Sequence, residues 1–132
     1  CAAMGAQNGG TRPSTSACAN ATTPVPDQSL SVCPAGWRLP EFGGNGELQL
    51  LANAIGATND ATGSTNLRIT WMAQYGGQRM NMFYSQTTDG YFWSVIGYSS
   101  SKSRRLVFSS STVSPTGGFN KYNGASVRCI AI

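Results

Sequence analysis

The sequence has no histidine and only five carboxylate side chains among its 132 residues. The absence of histidine excludes a Ser-His-Asp triad and a Cys-His pair. The five carboxylates are scattered along the chain, so they predict no acid–base pair. Zinc sites need closely spaced ligands, and no two cysteines lie two to four residues apart. We therefore expect a protein that is not an enzyme, with no catalytic residue, no metal site and no cofactor.

Long apolar runs are also absent, so the sequence predicts no transmembrane segment. Only 11% of the residues are charged, whereas glycine, serine, threonine and asparagine are abundant. A chain of this length is expected to form a single domain, residues 1–132, with one modest core and many loops. Such a domain needs covalent staples for part of its stability.

Four cysteines are available as staples: Cys1, Cys18, Cys33 and Cys129. They allow three connectivities, of which we favour Cys33 with Cys129 and Cys1 with Cys18. In the chain-entropy model the first pair contributes about 4 to 5 kcal/mol and the second about 3 kcal/mol. Disulfides imply an oxidising compartment. Because the chain starts with Cys1, we expect it to be processed from a longer precursor; a mature lipoprotein with its lipid on Cys1 is the alternative.

The first half of the sequence predicts one helix. Residues 1–32 are rich in Ala, Thr, Ser, Gly and Pro, which indicates a loop-rich N-terminal excursion. The main helix is predicted at 46–55, because four apolar residues there have the spacing of one helical face and Gly56 follows them. Residues 59–66 are predicted to form a polar loop.

The second half favours antiparallel strands. Alternating apolar and polar residues predict strands at 67–75, 79–84, 91–95, 105–109 and 125–130. The glycine pair at 76–77 predicts a hairpin turn between the first two strands. One main helix on a small antiparallel sheet, with long loops, gives an α+β fold.

Charge is unevenly distributed between the two halves. Residues 1–67 contain two arginines against four carboxylates, whereas residues 68–132 contain seven lysines and arginines against Asp89 alone. A basic half attracts acidic glycans, nucleic acid or phospholipid head groups. The plainer interpretation, which we favour from the charges alone, is a solvated surface that keeps the protein soluble. We expect no nucleic-acid partner.

Five segments, taken in order, resemble a known family. They are CPAGWRLP at 33–40, the predicted helix, GYFWS at 90–94, SRRLVF at 103–108 and GASVRC at 124–129. Together they resemble the Fibrobacter succinogenes major paralogous domain family. That family is similar to C-type lectin-like folds and to the lectin-type domains of bacterial adhesins and pilins.

The resemblance implies a C-type lectin-like core over residues 33–130, stapled by a bond between Cys33 and Cys129. It implies core positions for four apolar residues, namely Trp37, Leu39, Phe92 and Trp93. Arg38 and Arg128 are expected to be structural, as donors to nearby carbonyl groups.

In such folds the binding surface lies in the loops after the aromatic strand, here 95–102 and 110–123. Tyr, Ser, Asn and Gly in these loops combine rigid contact area with adaptable hydrogen bonding. The predicted ligand-binding residues are Tyr98, Ser100, Lys102, Arg104, Phe119, Asn120, Lys121 and Tyr122. Ordinary polar loops are the alternative. We expect no calcium-bridged sugar site, since the tripeptides Glu-Pro-Asn and Trp-Asn-Asp are absent and calcium needs six to eight oxygen ligands.

These observations predict a non-catalytic extracellular recognition and adhesion module on a bacterial surface or pilus. Its expected partner is a glycan or a host or partner protein surface, with acidic partners suiting the basic loops. The alternative is the globular head of a type IV pilin-like subunit, with a mainly structural role and with pilus or filament subunits as partners. Retroelement-driven diversification of the loop at 95–102 is a further alternative.

Overall fold

The computed structural model describes residues 32–42, 45–99, 101–114 and 117–132. They form helices and small antiparallel sheets, as the coarse α+β prediction required. The elements are β1 (Trp37–Arg38), α1 (Glu47–Ala54), α2 (Ala61–Thr70), β2 (Gln78–Arg79), β3 (Phe83–Tyr84), β4 (Gly90–Gly97), β5 (Lys102–Phe108), β6 (Val113–Ser114), β7 (Gly118–Asn120) and β8 (Ile130–Ala131). Apart from Val32, the predicted N-terminal excursion and the proposed Cys1–Cys18 pair lie outside the described residues.

The largest sheet is organised around β5. One edge of β5 pairs antiparallel with β4, and its other edge pairs antiparallel with β6 near its end and with β7 near its beginning. Two smaller antiparallel sheets join β1 to β8 and β2 to β3. The strands predicted at 91–95 and 105–109 are therefore confirmed, each within a longer strand.

The two faces of this sheet are covered by different parts of the chain. Side chains alternate along β5, so Leu106 and Phe108 share one face with Arg104 while Val107 and Arg105 point to the other. The first face packs on the helices, in the cluster Phe42, Leu48, Leu67, Ala73, Phe92, Leu106, Phe108 and Val113. The second face packs in the cluster Leu39, Tyr91, Trp93 and Phe119, with Cys33, Val95, Val107 and Ala125 against it.

Helix α1 confirms the predicted main helix to within one residue at each end. Leu48 and Ala52, one turn apart, are its buried residues. At its start, Glu47 accepts a hydrogen bond from Nη2 of Arg38 and another, at 2.6 Å, from the N–H of Glu41. Arg38 also donates from Nη1 to the carbonyl oxygen of Leu39 at 3.3 Å, which confirms its predicted structural role. This ion pair ties β1 to α1.

Helix α2 shows that the predicted loop at 59–66 and strand at 67–75 are wrong. Leu67 and Ile69 would share one face of a strand, but Leu67 is fully buried and Ile69 is 73% exposed. Residues two apart in a helix lie about 200° apart around its axis, which accounts for this difference. The alternation of apolar residues at 67, 69 and 71 is therefore not a strand signal here.

The start of α2 is held by a cap and a close contact. Asp60 Oδ1 accepts a hydrogen bond from the N–H of Gly63 at 2.7 Å. A Cβ at Gly63 would lie 1.8 Å from the carbonyl oxygen of Thr58, so only glycine fits. This packing outweighs the weak helix propensity of the Gly, Ser, Thr and Asn residues in the segment.

Two further strand predictions are corrected. The hairpin turn is not at the glycine pair 76–77 but at 80–82, where the N–H of Met80 donates to the carbonyl oxygen of Met82 at 2.9 Å. The segment 79–84 therefore holds parts of two strands. The strand predicted at 125–130 is confined to β8, while Ser126 forms an isolated parallel bridge with Phe92.

Three of the four predicted core residues, Leu39, Phe92 and Trp93, are buried. Trp37 is 47% exposed, because it pairs only with Ala131 in the short β1–β8 sheet beside the last residues of the chain. The guanidinium of Arg128 donates to the carbonyl oxygen of Trp71 at 2.7 Å and lies 4.8 Å from the centre of its ring. This confirms the structural role predicted for Arg128.

The predicted bond between Cys33 and Cys129 is present and closes a separation of 96 residues. It lies beside the β1–β8 pairing and against the second core cluster. Closing a loop of this length removes much of the conformational freedom of the unfolded chain.

We expect the double variant Cys33→Ser/Cys129→Ser to lose about 4 kcal/mol of unfolding free energy, because the unfolded chain regains its loop freedom. The melting temperature should fall by on the order of 10 to 20 °C, measured by circular dichroism. Cys1→Ser/Cys18→Ser is the control and should fall less. Peptide mapping without reductant that linked Cys129 to Cys1 or Cys18 would contradict this pairing.

The Arg38–Glu47 pair should make stability depend on pH. The hydrogen bond from Arg38 lowers the pKa of the Glu47 carboxyl, so its stabilisation is present above the ordinary glutamate pKa and is lost as the pH falls. In urea denaturation, Glu47→Gln should cost up to about 1 kcal/mol at pH 7, since the pair is partly exposed. That cost should shrink steadily between pH 5 and pH 2. Glu41→Gln is the matched control, and a Glu47→Gln cost that is the same at pH 7 and pH 2 would rule out the ion pair.

Candidate functional site

An uncovered part of the main sheet carries most of the predicted binding residues. On the first face of β5 the helices cover Leu106 and Phe108, whereas Arg104 is half-buried and Lys102 is exposed. We call the group formed by Tyr98, Lys102, Arg104, Asn120 and Tyr122 the basic aromatic surface.

Strand register brings these residues together from three parts of the chain. Lys102 pairs directly with Asn120, and Arg104 with Gly118, in the β5–β7 ladder. Tyr98 follows β4, and its N–H donates to the carbonyl oxygen of Lys102 at 3.0 Å. The residues between them, Ser103 and Phe119, are buried. Lys102, Arg104, Gly118 and Asn120 therefore share the opposite face of the sheet.

The ring of Tyr98 crosses β5 and rests on Gly118. A Cβ at Gly118 would lie 2.7 Å from Cδ1 of Tyr98 and 3.0 Å from its Cγ, so the ring occupies the space a side chain would need. The guanidinium carbon of Arg104 lies 5.3 Å from the centre of the same ring, within the range of a cation–π interaction. Even so, Tyr98 is 53% exposed. The ring is therefore positioned by its neighbours and still accessible.

The other end of the surface is polar. Asn120 donates from Nδ2 to the hydroxyl of Tyr122 at 2.8 Å, and Tyr122 is largely exposed. Beside them, Lys102 contributes a cation. The surface thus combines an aromatic ring, two cations and a hydrogen-bonded amide–phenol pair within one patch.

One predicted binding residue, Phe119, lies on the other face of the sheet. Phe119 is only 7% exposed and packs between Tyr91 and Trp93 in the second core cluster, so the structure contradicts its predicted role as a ligand contact. It points to the other face because it alternates with Gly118 and Asn120. Lys121 is half-buried, and burial lowers its pKa. Ser100 lies outside the described residues.

Arg105 lies on the opposite face from Arg104 and has a structural environment. Its guanidinium carbon is 4.9 Å from the ring centre of Phe119 and 5.3 Å from that of Tyr91. Its Nε and Nη1 atoms are buried without hydrogen-bond partners, and burial lowers its pKa. The aromatic faces supply the compensating attraction. Arg104 and Arg105 are adjacent in the sequence but therefore have different environments, one at the surface and the other among buried rings.

A second polar group lies around Tyr91, at the same face as Arg105. The Tyr91 hydroxyl donates to Asp89 Oδ2 at 3.3 Å and accepts from Gln78 Nε2 at 3.4 Å. Burial, followed by the charge of Asp89, raises the pKa of Tyr91. Through these two hydrogen bonds the Tyr91 hydroxyl connects Gln78 in β2 with Asp89, which directly precedes β4. The group therefore stabilises the junction of β2 and β4.

Sequence reasoning missed Gly118, because residues 110–123 were predicted as one loop. A detectable signal was the Gly-Gly-Phe-Asn order at 117–120, in which an apolar residue alternates with polar or small ones.

Among the described residues, no helix is long and apolar enough to cross a membrane. Nor do three or more cysteine, aspartate or glutamate side chains in these segments come together as a group that could hold a metal ion. In comparisons with known proteins, no family model, no curated protein and no solved structure matches the chain.

The different environments of Phe119 and Tyr98 give a direct test. Phe119→Ala should lower the unfolding free energy by about 3 to 4 kcal/mol, because it leaves a cavity between buried rings. Tyr98→Ala should lower it by less than about 1 kcal/mol, since the ring is half exposed. Urea denaturation measures both. Equal losses for the two variants would mean that Tyr98 is a core residue and not a surface one.

Proposed function

We propose that this chain is a non-catalytic extracellular recognition module that binds a glycan or protein ligand through the basic aromatic surface. The observation that carries the proposal is the accessible Tyr98 ring, seated on Gly118 and stacked by Arg104. Exposed aromatic side chains that are already positioned lose little conformational entropy on binding. Two cations beside such a ring add salt-sensitive attraction for an acidic partner.

A C-type lectin-like fold of the kind found in the Fibrobacter succinogenes major paralogous domain family belongs to the same proposal. It is supported by the bond between Cys33 and Cys129, which joins the two cysteine-bearing motifs, and by the helix that follows the first motif. It is also supported by the burial of Phe92 and Trp93 on the aromatic strand. The disulfide favours an oxidising location, so we place the module outside the cell, on a bacterial surface or pilus.

Recognition in this proposal needs no calcium. The ligand contacts come from tyrosine rings, cationic side chains and the Asn120 amide, and the one carboxylate of the second half, Asp89, accepts a hydrogen bond from Tyr91 on the other side of the sheet. Such contacts suit a modest interface whose affinity comes from a few central residues.

Screening on glycan arrays and with host-cell extracts should find a ligand whose binding depends on this surface. Tyr98→Ala and Lys102→Gln should each weaken binding by about tenfold, the equivalent of one lost contact of roughly 1.4 kcal/mol, while the melting temperature changes little. Raising the salt concentration should weaken binding by wild type more than by Lys102→Gln.

Two matched controls lie on the β2–β3 hairpin. Phe83→Ala removes an exposed aromatic ring and Arg79→Gln removes an exposed cation, and neither residue belongs to the β5–β7 ladder that carries the basic aromatic surface. Neither should affect binding. Loss of binding in the controls but not in the two test variants would place the site on the hairpin. If no ligand is found, the structural role of a type IV pilin-like head becomes the better proposal.

A further inference from the structure

The ring of Tyr98 is held in place because residue 118 has no side chain. A methyl group at Gly118 would come within 3.0 Å of three ring atoms, Cδ1, Cε1 and Cγ. The ring would therefore have to leave its position. Gly118 has no unusual backbone requirement in β7, since its φ is not in the left-handed region. Its role in the surface is thus steric: it lets the ring lie flat against the strand.

Cations and hydrogen-bonding groups are arranged around this ring. Arg104 pairs with Gly118 across the ladder and stacks beside the ring, and Lys102 lies two residues away on the same face. Next to Lys102, Asn120 and Tyr122 form the amide–phenol pair. An aromatic ring contacts the C–H groups of a sugar, guanidinium and ammonium groups bind carboxylate or sulfate, and amide and phenol groups bind hydroxyls.

The exposed aliphatic side chains of the described residues lie elsewhere. Ile69 and Met72 are at the end of α2, while Met80 and Met82 are on the hairpin. The fully buried centre of a protein interface is apolar, and the basic aromatic surface has no aliphatic side chain to form such a centre. Its composition fits a polar, charged ligand with a small contact area.

We propose that the basic aromatic surface binds an acidic saccharide and that Gly118 is the positioning residue that makes this possible. The carboxylate or sulfate group pairs with Arg104 and Lys102, and the sugar ring contacts the exposed part of Tyr98. This inference rests on the proposed recognition function, whose ligand class it narrows from glycan or protein to acidic glycan.

The experiment titrates three defined probes by calorimetry: a hyaluronan octasaccharide, a heparin-derived octasaccharide and a neutral chitin-derived oligosaccharide. We expect at least one of the two acidic probes to bind at least tenfold more tightly than the neutral probe. Binding of hyaluronan indicates a carboxylate ligand, whereas binding of heparin fragments alone indicates a sulfated one. Arg104→Gln should remove most of the preference for the acidic probe, while Arg79→Gln should retain it.

A double-mutant cycle tests the role of Gly118. Gly118→Ala should weaken binding of the acidic probe by about fivefold to tenfold, close to the effect of Tyr98→Ala, and the double variant should be no weaker than Tyr98→Ala alone. The side-chain NMR signals of Arg104 should also move in Gly118→Ala, because they lose the ring current of Tyr98. A Gly118→Ala effect that persists in full in the Tyr98→Ala background would overturn the positioning role.

If Gly118→Ala does not fold, Tyr98→Ala and Arg104→Gln still test the saccharide assignment. The inference fails while the proposed function survives if no acidic probe binds and a protein ligand is instead lost in Tyr98→Ala and Lys102→Gln. Acidic probes that bind wild type and all surface variants equally would overturn both, since attraction would then come from the net charge of the chain and not from this surface.

Discussion

The structure depends on β5, whose seven residues carry the two sides of the core and the start of the candidate site. Paired on one edge with β4 and on the other with β6 and β7, this strand alternates its side chains between two packed faces. Leu106 and Phe108 anchor the helices, while Val107 and Arg105 reach the second cluster. The helices do not cover the first part of β5, so the same alternation leaves Lys102 and Arg104 at the surface.

The second face of the sheet is completed by the ends of the described chain. The bond between Cys33 and Cys129 and the β1–β8 pairing hold these ends together beside Leu39 and Trp93. This arrangement buries β4 on both sides, which explains why its aromatic residues are core residues and not ligand contacts. The chain has few charges and many loops, so a covalent closure of this length carries a large share of its stability.

The candidate site follows from what the core leaves uncovered. A ring that is exposed yet seated on a strand combines two properties, accessibility and rigidity, that loops seldom provide together. The contrast between Arg104 and Arg105 shows how finely this depends on strand geometry. One guanidinium lies beside an exposed tyrosine, and the next lies among buried rings where it has no hydrogen-bond partner for two of its nitrogens.

The sequence by itself determined the features that arise from local spacing and from cysteine-bearing motifs: helix α1, the strands β4 and β5, the Cys33–Cys129 bond and the five residues of the basic aromatic surface. Tertiary structure decided the rest. Helix α2 was missed because its close contact with Thr58 and its burial of Leu67 outweigh poor local propensity. The segment that contains Gly118 and Phe119 is predicted as a loop, because its pairing with β5 is a contact that local sequence patterns do not reveal. That pairing turns Phe119 into the core. It also places Gly118 under the ring of Tyr98.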